Sequence, residues 1–494
     1  MTATTRTDQR PSGPVPRPSL ISGRAAAIAI AVVLVADFMD LLDATIVNVA
    51  APELMRDLGA SESALQWMVA GYTLAMGATL ITGGRVGDQF GRRRVFLLGL
   101  AGFAVASALC ALAPNAAVLI ATRVVQGLAA GLMVPQVFGI IRSSLAPSAR
   151  AKAFGAYGAV LSLASVAGPL LGGFLVDADV FGLGWRAIFW VNVPVAIIGL
   201  ALGARFLPDS RSSDRTRLDL LGALLGSVTA VLLLLPLIQG PEWDWPWWSF
   251  GLMAFGVVAG AVFLVWERRV AAQDRQPVFD PALLRVRAFS GGLVASMLFF
   301  GAIGSFFFLL ALYLQLGTGR TAWETGLIIL PYAIGALITS GIGVQFAAKV
   351  GRALLIGGSL VLAASQLLLL LVVRADVDPG YWLLALPLFI GGLGLGLTTP
   401  SLINVVLAGV PGKDAGSAGA VLTTVTQIGS AAGVAVLGVL FFDSLEASFA
   451  TGAAPLGGYG DAFLAIMPWQ IGCYVLAAAL MLLLPKRAAE HADA

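Results

Sequence analysis

The sequence is short of charge. Asp, Glu, Lys and Arg make up 12% of the 494 residues, whereas globular proteins usually carry about 25%. Hydrophobic residues make up 58%, and the mean hydropathy is +0.90. This composition excludes an ordinary soluble enzyme and predicts an integral membrane protein.

Histidine and cysteine are scarce as well. The one histidine is His491, near the C-terminal end, and both cysteines, Cys110 and Cys473, lie in apolar segments. This pattern argues against a histidine-dependent hydrolase, a disulfide framework and a cysteine-based metal site. A phosphate-binding glycine-rich loop is also missing, so we expect no ATP motor and no cofactor. An ion gradient remains as the energy source.

Long apolar runs are abundant. About 20 residues suffice to cross a hydrocarbon core roughly 30 Å thick. Fourteen such runs are predicted as membrane spans, at residues 25–50, 65–83, 95–113, 116–140, 153–175, 187–206, 218–238, 249–268, 291–315, 324–348, 353–373, 382–407, 416–442 and 462–484.

The basic residues indicate the orientation of these spans. If both ends of the chain are cytoplasmic, most of the 30 Lys and Arg lie in inner segments, and only Arg56, Arg186, Arg320 and Arg374 lie in outer loops. Inner loops of membrane proteins carry such an excess of positive charge. The pI near 9.0 therefore indicates a membrane orientation and not a nucleic-acid partner.

The first span carries three acids, Asp37, Asp40 and Asp43. At 100° per residue they share one helix face about 120° wide. Each ionised Asp costs about 2.5–3.5 kcal/mol at the membrane centre, so this face must meet protein, water or bound protons. Arg123, in the fourth span, either reaches towards an interface along its side chain or faces these acids and lowers the cost of burying both.

Two glycine-rich segments stand out. Residues 83–94, between spans two and three, predict a tight, glycine-dependent turn. Inner-loop positive charge explains its arginines but not Asp88 or the glycine spacing. In span five, Gly168 to Gly173 reads Gly-Pro-Leu-Leu-Gly-Gly. The proline removes a backbone hydrogen bond, and the glycines permit close helix packing.

An internal repeat relates the two ends of the chain. Residues 127–135 recur at 392–400 with an offset of 265, residues 158–172 recur at 419–433 with an offset of 261, and Gly91-Arg92 recurs with an offset of 260. This predicts two six-span halves that arose by a parallel duplication, with spans seven and eight inserted between them. Ala348 and Leu388 replace Asp88 and Arg123 in the second copy, so the charges are concentrated in the first half.

Several segments resemble the fourteen-span drug:proton antiporters of the major facilitator superfamily. The segment from Gly84 to Arg93 resembles the superfamily's loop signature, and Leu42 to Pro52 resembles the first-helix signature of the fourteen-span branch. Arg123 to Gly127 resembles the fourth-helix signature, and Gly168 to Gly173 the fifth-helix signature typical of antiporters. Trp185 to Pro194 is also similar to this branch.

The sequence departs from this pattern at a few positions. Gln89 stands where relatives have arginine, and Ala51 replaces a common leucine. Asp37 and Asp40 lie upstream of the first-helix signature, so only Asp43 inherits a family role.

The resemblance implies an all-α major facilitator fold with fourteen spans and cytoplasmic termini. The expected domains are a disordered tail at 1–24, a six-helix bundle at 25–206, a linker with two inserted helices at 207–290, a second bundle at 291–484 and a tail at 485–494. The resemblance implies that Asp43 couples to protons. It implies a gating loop in which Asp88 and Arg92 hold the halves together on the cytoplasmic side in the outward-facing state; the residues of this loop are Gly84, Gly87, Asp88, Gly91, Arg92 and Arg93. It also implies an antiporter motif of Gly168, Pro169, Gly172 and Gly173, in which Gly168 and Pro169 shape the rocking interface.

The predicted function is export of hydrophobic or cationic drugs and antibiotics across the cell membrane in exchange for protons. Asp37, Asp40 and Arg123 are further candidates for proton or substrate contact, in a cavity expected between the two halves. We expect a monomer whose partners are substrate, protons and lipids. The alternatives are an exporter or symporter of one metabolite, such as a self-made antibiotic, and a membrane-embedded sensor or enzyme.

Overall fold

In a computed structural model, the protein is described over residues 23–144, 147–208, 219–240, 242–273, 277–278, 281–407 and 415–484. Nearly all of the predicted N-terminal tail and all of the C-terminal tail lie outside these residues. Residues 23 and 24, which were assigned to the tail, already belong to the first helix.

Helices account for the regular structure of the described ranges. We number the fourteen long segments as α1 Gly23–Leu58, α2 Glu62–Phe90, α3 Arg92–Ala111, α4 Ala116–Ser144, α5 Pro147–Asp177, α6 Gly184–Phe206, α7 Leu220–Gln239, α8 Trp247–Ala272, α9 Arg287–Leu312, α10 Ala322–Val350, α11 Arg352–Ala375, α12 Tyr381–Leu407, α13 Ala415–Ala450 and α14 Pro455–Leu480.

Most of these helices can cross a membrane. Within the described residues, twelve are long and apolar enough, and a thirteenth is added if the bent helix α2 is taken as one span. In α5, the apolar stretch found within the described residues covers only Ala167–Asp177, which is shorter than a membrane span. The protein is therefore a multi-pass membrane protein, and the number fourteen stays a prediction.

The junction between α2 and α3 is tighter than expected. The sequence predicted a turn over residues 83–94, but α2 continues to Phe90 and α3 begins at Arg92. The chain turns at Gly91 alone, whose φ of +103° suits glycine. The prediction was wrong in its extent because Gly84 and Gly87 lie within a regular helix, where their missing side chains serve packing.

The helices form two groups. Helices α1 to α6 pack together, as do α9 to α14, and the most extensive contacts between the groups are those of α2 with α13 and of α5 with α10. These two joining pairs are related by the internal repeat. Helix α7 packs on α8 and also contacts α2 and α13, so the inserted helices lie beside one of the joining pairs.

Glycines repeat the same helix contact in both groups. A Cβ added to Gly172 of α5 would lie 2.7 Å from Ile46 of α1, and one added to Gly429 of α13 would lie 2.6 Å from the carbonyl oxygen of Met297 of α9. Both distances are far below normal contact. The repeated glycines therefore allow α5 and α13 to approach α1 and α9 closely.

We predict that Gly429→Ala destabilises the protein by about 1–3 kcal/mol, because the added methyl group has no space. Gly472→Ala is the matched control, since a Cβ at Gly472 meets no atom within 4 Å. Thermal unfolding of both variants in detergent is the measurement. Equal melting temperatures for the two variants would contradict the close packing.

A buried ion pair as the candidate functional site

The four predicted intramembrane charges are all buried. Asp37, Asp40 and Asp43 on α1 are at most 2% exposed, and Arg123 on α4 is 1% exposed. An ionised side chain that cannot reach water needs a partner of opposite charge or several hydrogen bonds. The surroundings of each side chain therefore determine whether it can remain charged.

Asp43 and Arg123 form a salt bridge, in which Arg123 Nη1 donates to Asp43 Oδ2. The other carboxylate oxygen, Oδ1, accepts from Gln126 Nε2 and from Asn192 Nδ2, both at 2.9 Å. Asp43 thus accepts hydrogen bonds from one charged and two neutral donors. Of the two interpretations of Arg123, the structure shows the one in which it faces the acids.

The guanidinium group of Arg123 is held on several sides. Its Nε donates to the carbonyl oxygen of Met68 at 3.1 Å, and Nη1 donates also to Gln126 Oε1 at 2.8 Å. The guanidinium carbon lies 4.1 Å from the centroid of the Tyr72 ring, within cation–π range. Removing one partner of such a buried pair typically costs 3–5 kcal/mol.

A second layer supports the pair. Asn192 Nδ2 donates to Ser107 Oγ at 3.0 Å, and Ser107 Oγ donates to the carbonyl oxygen of Phe189 at 3.0 Å. Ser107 belongs to α3, whereas Phe189 and Asn192 belong to α6. Four helices of the first group, α1, α3, α4 and α6, are therefore joined through one carboxylate.

Asp40 has a different environment from Asp43. The hydroxyl group of Tyr72, on α2, donates a hydrogen bond to Asp40 Oδ1. Tyr72 is itself fully buried. The same tyrosine therefore contacts Asp40 through its hydroxyl group and Arg123 through its ring.

Asp40 and Asp43 form their hydrogen bonds within one half, whereas the sequence had led us to expect a cavity between the two halves. The partners of Asp40 and Asp43 named above all belong to α2, α4 and α6, within the first group of helices. Phe38 and Leu41, on a neighbouring face of α1, are half-buried. The spacing of the acids defined a polar face of α1 but not which helices this face meets.

The gating-loop residues also make local contacts. Arg92 Nη2 and Nε donate to Asp88 Oδ1 at 2.7 and 2.9 Å, and Arg92 Nη1 donates to the carbonyl oxygen of Gly139 at 3.0 Å. The side chain of Gln136, which donates to the carbonyl oxygen of Gly83 at 2.8 Å, fills the space beside Gly87. In this structure the loop joins α2, α3 and α4, whereas we had expected it to hold the two halves together in the outward-facing state.

The other loop residues pack within the same group of helices. A Cβ on Gly84 would lie 3.6 Å from Pro135 of α4. Arg93, at the start of α3, donates to the carbonyl oxygen of Ala204 on α6.

The glycines of α5 contact both halves. Gly168 and Gly172 pack against Thr45 and Ile46 of α1, whereas Gly173 packs against the backbone of Ala322 at the start of α10. Nearby, Pro169 lies against Gly326 of α10. This segment therefore joins the two halves at the end of the molecule that the charge bias places outside.

A polar cavity of about 440 Å³ opens at this outer junction. Glu53, Arg56 and Asp177 line it from the first half, and Arg320 lines it from the second. Beside it, Gln315 Nε2 of the segment after α9 donates to the carbonyl oxygen of Val49 at 2.7 Å. The halves are thus in direct contact at the outer end.

Four polar residues of the site were missed from the sequence: Tyr72, Ser107, Gln126 and Asn192. Gln126 lies three residues after Arg123, which is the spacing of neighbours on a helix face. Tyr72 recurs as Tyr332 with the offset of 260 that also relates Gly91 to Gly351. These two signals were available, whereas nothing in the sequence indicated Ser107.

The chain belongs to the major facilitator superfamily, whose family model matches residues 33–220 and 218–434. It is therefore a membrane transporter and not an enzyme.

Relatives at 35–40% identity include the probable actinorhodin transporter of Streptomyces coelicolor, 40% identical over 84% of this chain and 72% of that protein. The puromycin resistance protein pur8 of Streptomyces alboniger is 35% identical over 94% and 92%. The tetracenomycin C resistance and export protein of Streptomyces glaucescens is 36% identical over 88% and 80%.

Solved structures share the fold. A bacterial homologue of the human lysosomal transporter Spinster aligns with a TM-score of 0.65 at 16% identity, over 94% of this chain and 97% of that one. A D-xylose–proton symporter aligns with a TM-score of 0.63 at 14% identity, over 94% and 98%.

We predict that Arg123→Leu destabilises the protein by about 3–5 kcal/mol, because it leaves Asp43 charged and buried without its main partner. Adding Asp43→Leu should recover at least half of this loss, since an apolar pair replaces the uncompensated charge. Leu388 already occupies the position related to Arg123 by the repeat. The measurement is thermal unfolding in detergent, and a double variant no more stable than Arg123→Leu alone would refute the pairing argument.

Proposed function

We propose that the protein exports hydrophobic or cationic antibiotics and drugs across the cell membrane in exchange for protons that move inward. The family membership supports transport, and three relatives named above carry antibiotic export or resistance in their names. The observation that carries the coupling to protons is the fully buried Asp43–Arg123 pair, with Asp40 one helical turn away.

This arrangement suits an antiporter because buried charge is expensive. A carboxylate shielded from water becomes neutral by binding a proton, or stays ionised beside a cation. A proton and a positively charged substrate therefore compete for the same negative charge, so that the arrival of one favours the release of the other. Arg123 favours the ionised form of the acid with which it is paired, and so influences whether that acid binds a proton.

The energy available is adequate. For an uncharged compound, one proton that moves inward gains about 2.3 kcal/mol per 100 mV of membrane potential, enough to support a gradient of roughly 50-fold for the exported compound. Exchange of one proton for a singly charged compound moves no net charge, so the pH difference alone drives it. The proposal therefore needs protons as the co-substrate and no cofactor.

We infer that export proceeds by alternating access. The outer contacts of Gly173 with α10 and of Gln315 with α1 separate when the outer end opens. The packing of Gly168 and Gly172 against α1 allows α5 to move with the first half. In the outward-facing state, we propose that Asp88 and Arg92 engage the second half on the cytoplasmic side.

The finer architecture belongs to the same proposal. We propose fourteen spans with both termini in the cytoplasm, two six-helix bundles and an inserted pair, α7 and α8. The one-to-one correspondence between the predicted spans and the helices supports this number. We further propose that the protein works as a monomer in contact with lipid.

A second candidate is an exporter of a single compound, such as an antibiotic that the cell makes itself. The observation that favours it is that each of the three relatives named above carries the name of one compound. A panel of cationic and neutral antibiotics separates the two, because a multidrug exporter protects cells against unrelated members and a dedicated exporter does not.

We predict that inverted membrane vesicles accumulate ethidium when their lumen is acidified, and that a protonophore abolishes this uptake. Asp43→Asn should reduce pH-driven uptake to the level of vesicles without the protein, because the neutral amide cannot balance Arg123. Asp461→Asn, at an exposed outer position, is the control and should transport normally. Uptake that survives the protonophore would rule out exchange for protons, and full coupled uptake by Asp43→Asn would rule out the Asp43–Arg123 pair as the basis of the coupling. Neutral antibiotics replace ethidium if the dye is not a substrate.

A further inference from the structure

Asp40 and Asp43, both on α1, differ in how their negative charge is compensated. Asp43 accepts hydrogen bonds from Arg123, Gln126 and Asn192, and Arg123 is permanently charged. Asp40 accepts from the neutral hydroxyl group of Tyr72. Both carboxyl groups are equally inaccessible to water, at 0% and 2% exposure.

This difference determines which acid can change its protonation state. An ionised carboxylate buried beside a cation and two amide donors is compensated, and protonating it would leave Arg123 charged and unpaired. A buried carboxylate with a hydroxyl donor and a negative neighbour is poorly compensated, so binding a proton relieves its cost. Asp40 is the acid in the second situation.

The charged and titratable groups that face Asp40 come from three helices of the described structure. Tyr72 approaches from α2 and Arg123 from α4, while Asp43 lies one turn away on α1 itself. Asp37 occupies the preceding turn of α1. Arg123 donates to Asp43, Gln126 and Met68, and within the described residues it makes no hydrogen bond to Asp40.

Tyr72 links the two acids. Its ring lies against the guanidinium group at 4.1 Å, and its hydroxyl group donates to Asp40. A phenol hydroxyl group is both a donor and an acceptor. The same oxygen can therefore donate to the ionised form of Asp40 and accept from the neutral form, which keeps the side chain in place through the cycle.

We propose that Asp40 carries the exchanged proton, that Tyr72 is the positioning residue for it, and that Asp43 stays ionised in its pair with Arg123. The inference rests on the proposed function and changes the assignment of the proton from Asp43 to Asp40. One O–H bond forms on the Asp40 carboxylate when a proton arrives from the outer water. The same bond breaks when that proton leaves for the inner water, so no other reactant is needed.

Infrared difference spectroscopy of the purified full-length protein, titrated with acid and base, tests this directly. A buried carboxylic acid gives a C=O stretching band at higher frequency than exposed acids do. We expect this band in the unaltered protein and its loss in Asp40→Asn. In Asp43→Asn the band should persist, shifted to more acidic pH because a negative neighbour is gone. A buried-acid band that remains in Asp40→Asn, or disappears in a folded Asp43→Asn, would overturn the proposal.

Tyr72→Phe tests the positioning role. Loss of a hydrogen bond to a charged group should move the midpoint of the same band to more alkaline pH by about one to two pH units. Tyr332→Phe is the matched control, because Tyr332 is related to Tyr72 by the repeat and its ring packs on Phe307 of the second half. A purely structural role for Tyr72 would lower the melting temperature but leave the midpoint unchanged, and that result would overturn its assignment. If Asp43→Asn does not fold, the comparison of the unaltered protein with Asp40→Asn decides the assignment alone.

The spectroscopic result is independent of transport. If ethidium and antibiotic uptake prove to be independent of the proton gradient while the band belongs to Asp40, the proposed function fails and the assignment of the buried proton stands. If uptake is proton-driven but the band belongs to Asp43, the proposed function stands and this inference fails.

Discussion

The cost of burying charge in a membrane protein governs this structure. Asp43 and Arg123 are stable inside the helices only because each neutralises the other and because Gln126 and Asn192 satisfy the remaining oxygen. The second half, which arose from the same repeat, has Leu388 in place of Arg123. The buried Asp43–Arg123 pair therefore has no counterpart at Leu388 in the second half.

Much of the fold could be predicted from the sequence because membrane spans are set by length and hydropathy. The positions of the helices and the two related halves followed from the apolar runs and from glycines that recur at nearly one offset. The extent of the turn near Gly91 was predicted wrongly. The glycines before it were interpreted as turn residues, but they lie within α2 and allow close packing against α4. The polar face of α1 was visible in the spacing of its acids, but the sequence did not show that this face meets α2, α4 and α6.

The site was predicted in part. The pairing of Arg123 with the acids of α1 was one of two interpretations that the sequence left open, and it is favoured because an arginine deep in a span needs a negative partner. Gln126 and Tyr72 were signalled by helical spacing and by the repeat, whereas Ser107 and Asn192 lie on other helices and become neighbours of the pair only through tertiary packing. These neutral groups distinguish Asp40 from Asp43, so the sequence favoured Asp43 on family resemblance, whereas the hydrogen bonds favour Asp40 as the proton carrier.

The central claim is that substrate and proton compete for the same buried charge, and proton release on substrate binding tests it most directly. Ethidium is added to the purified protein in a lightly buffered solution, the pH is recorded with an indicator dye, and binding is followed in parallel by ethidium fluorescence. The account predicts that the solution becomes more acidic in proportion to the ethidium bound, and that the effect disappears at a pH high enough to deprotonate the buried acid beforehand. Saturable binding of ethidium with no change in pH at any starting pH would contradict it.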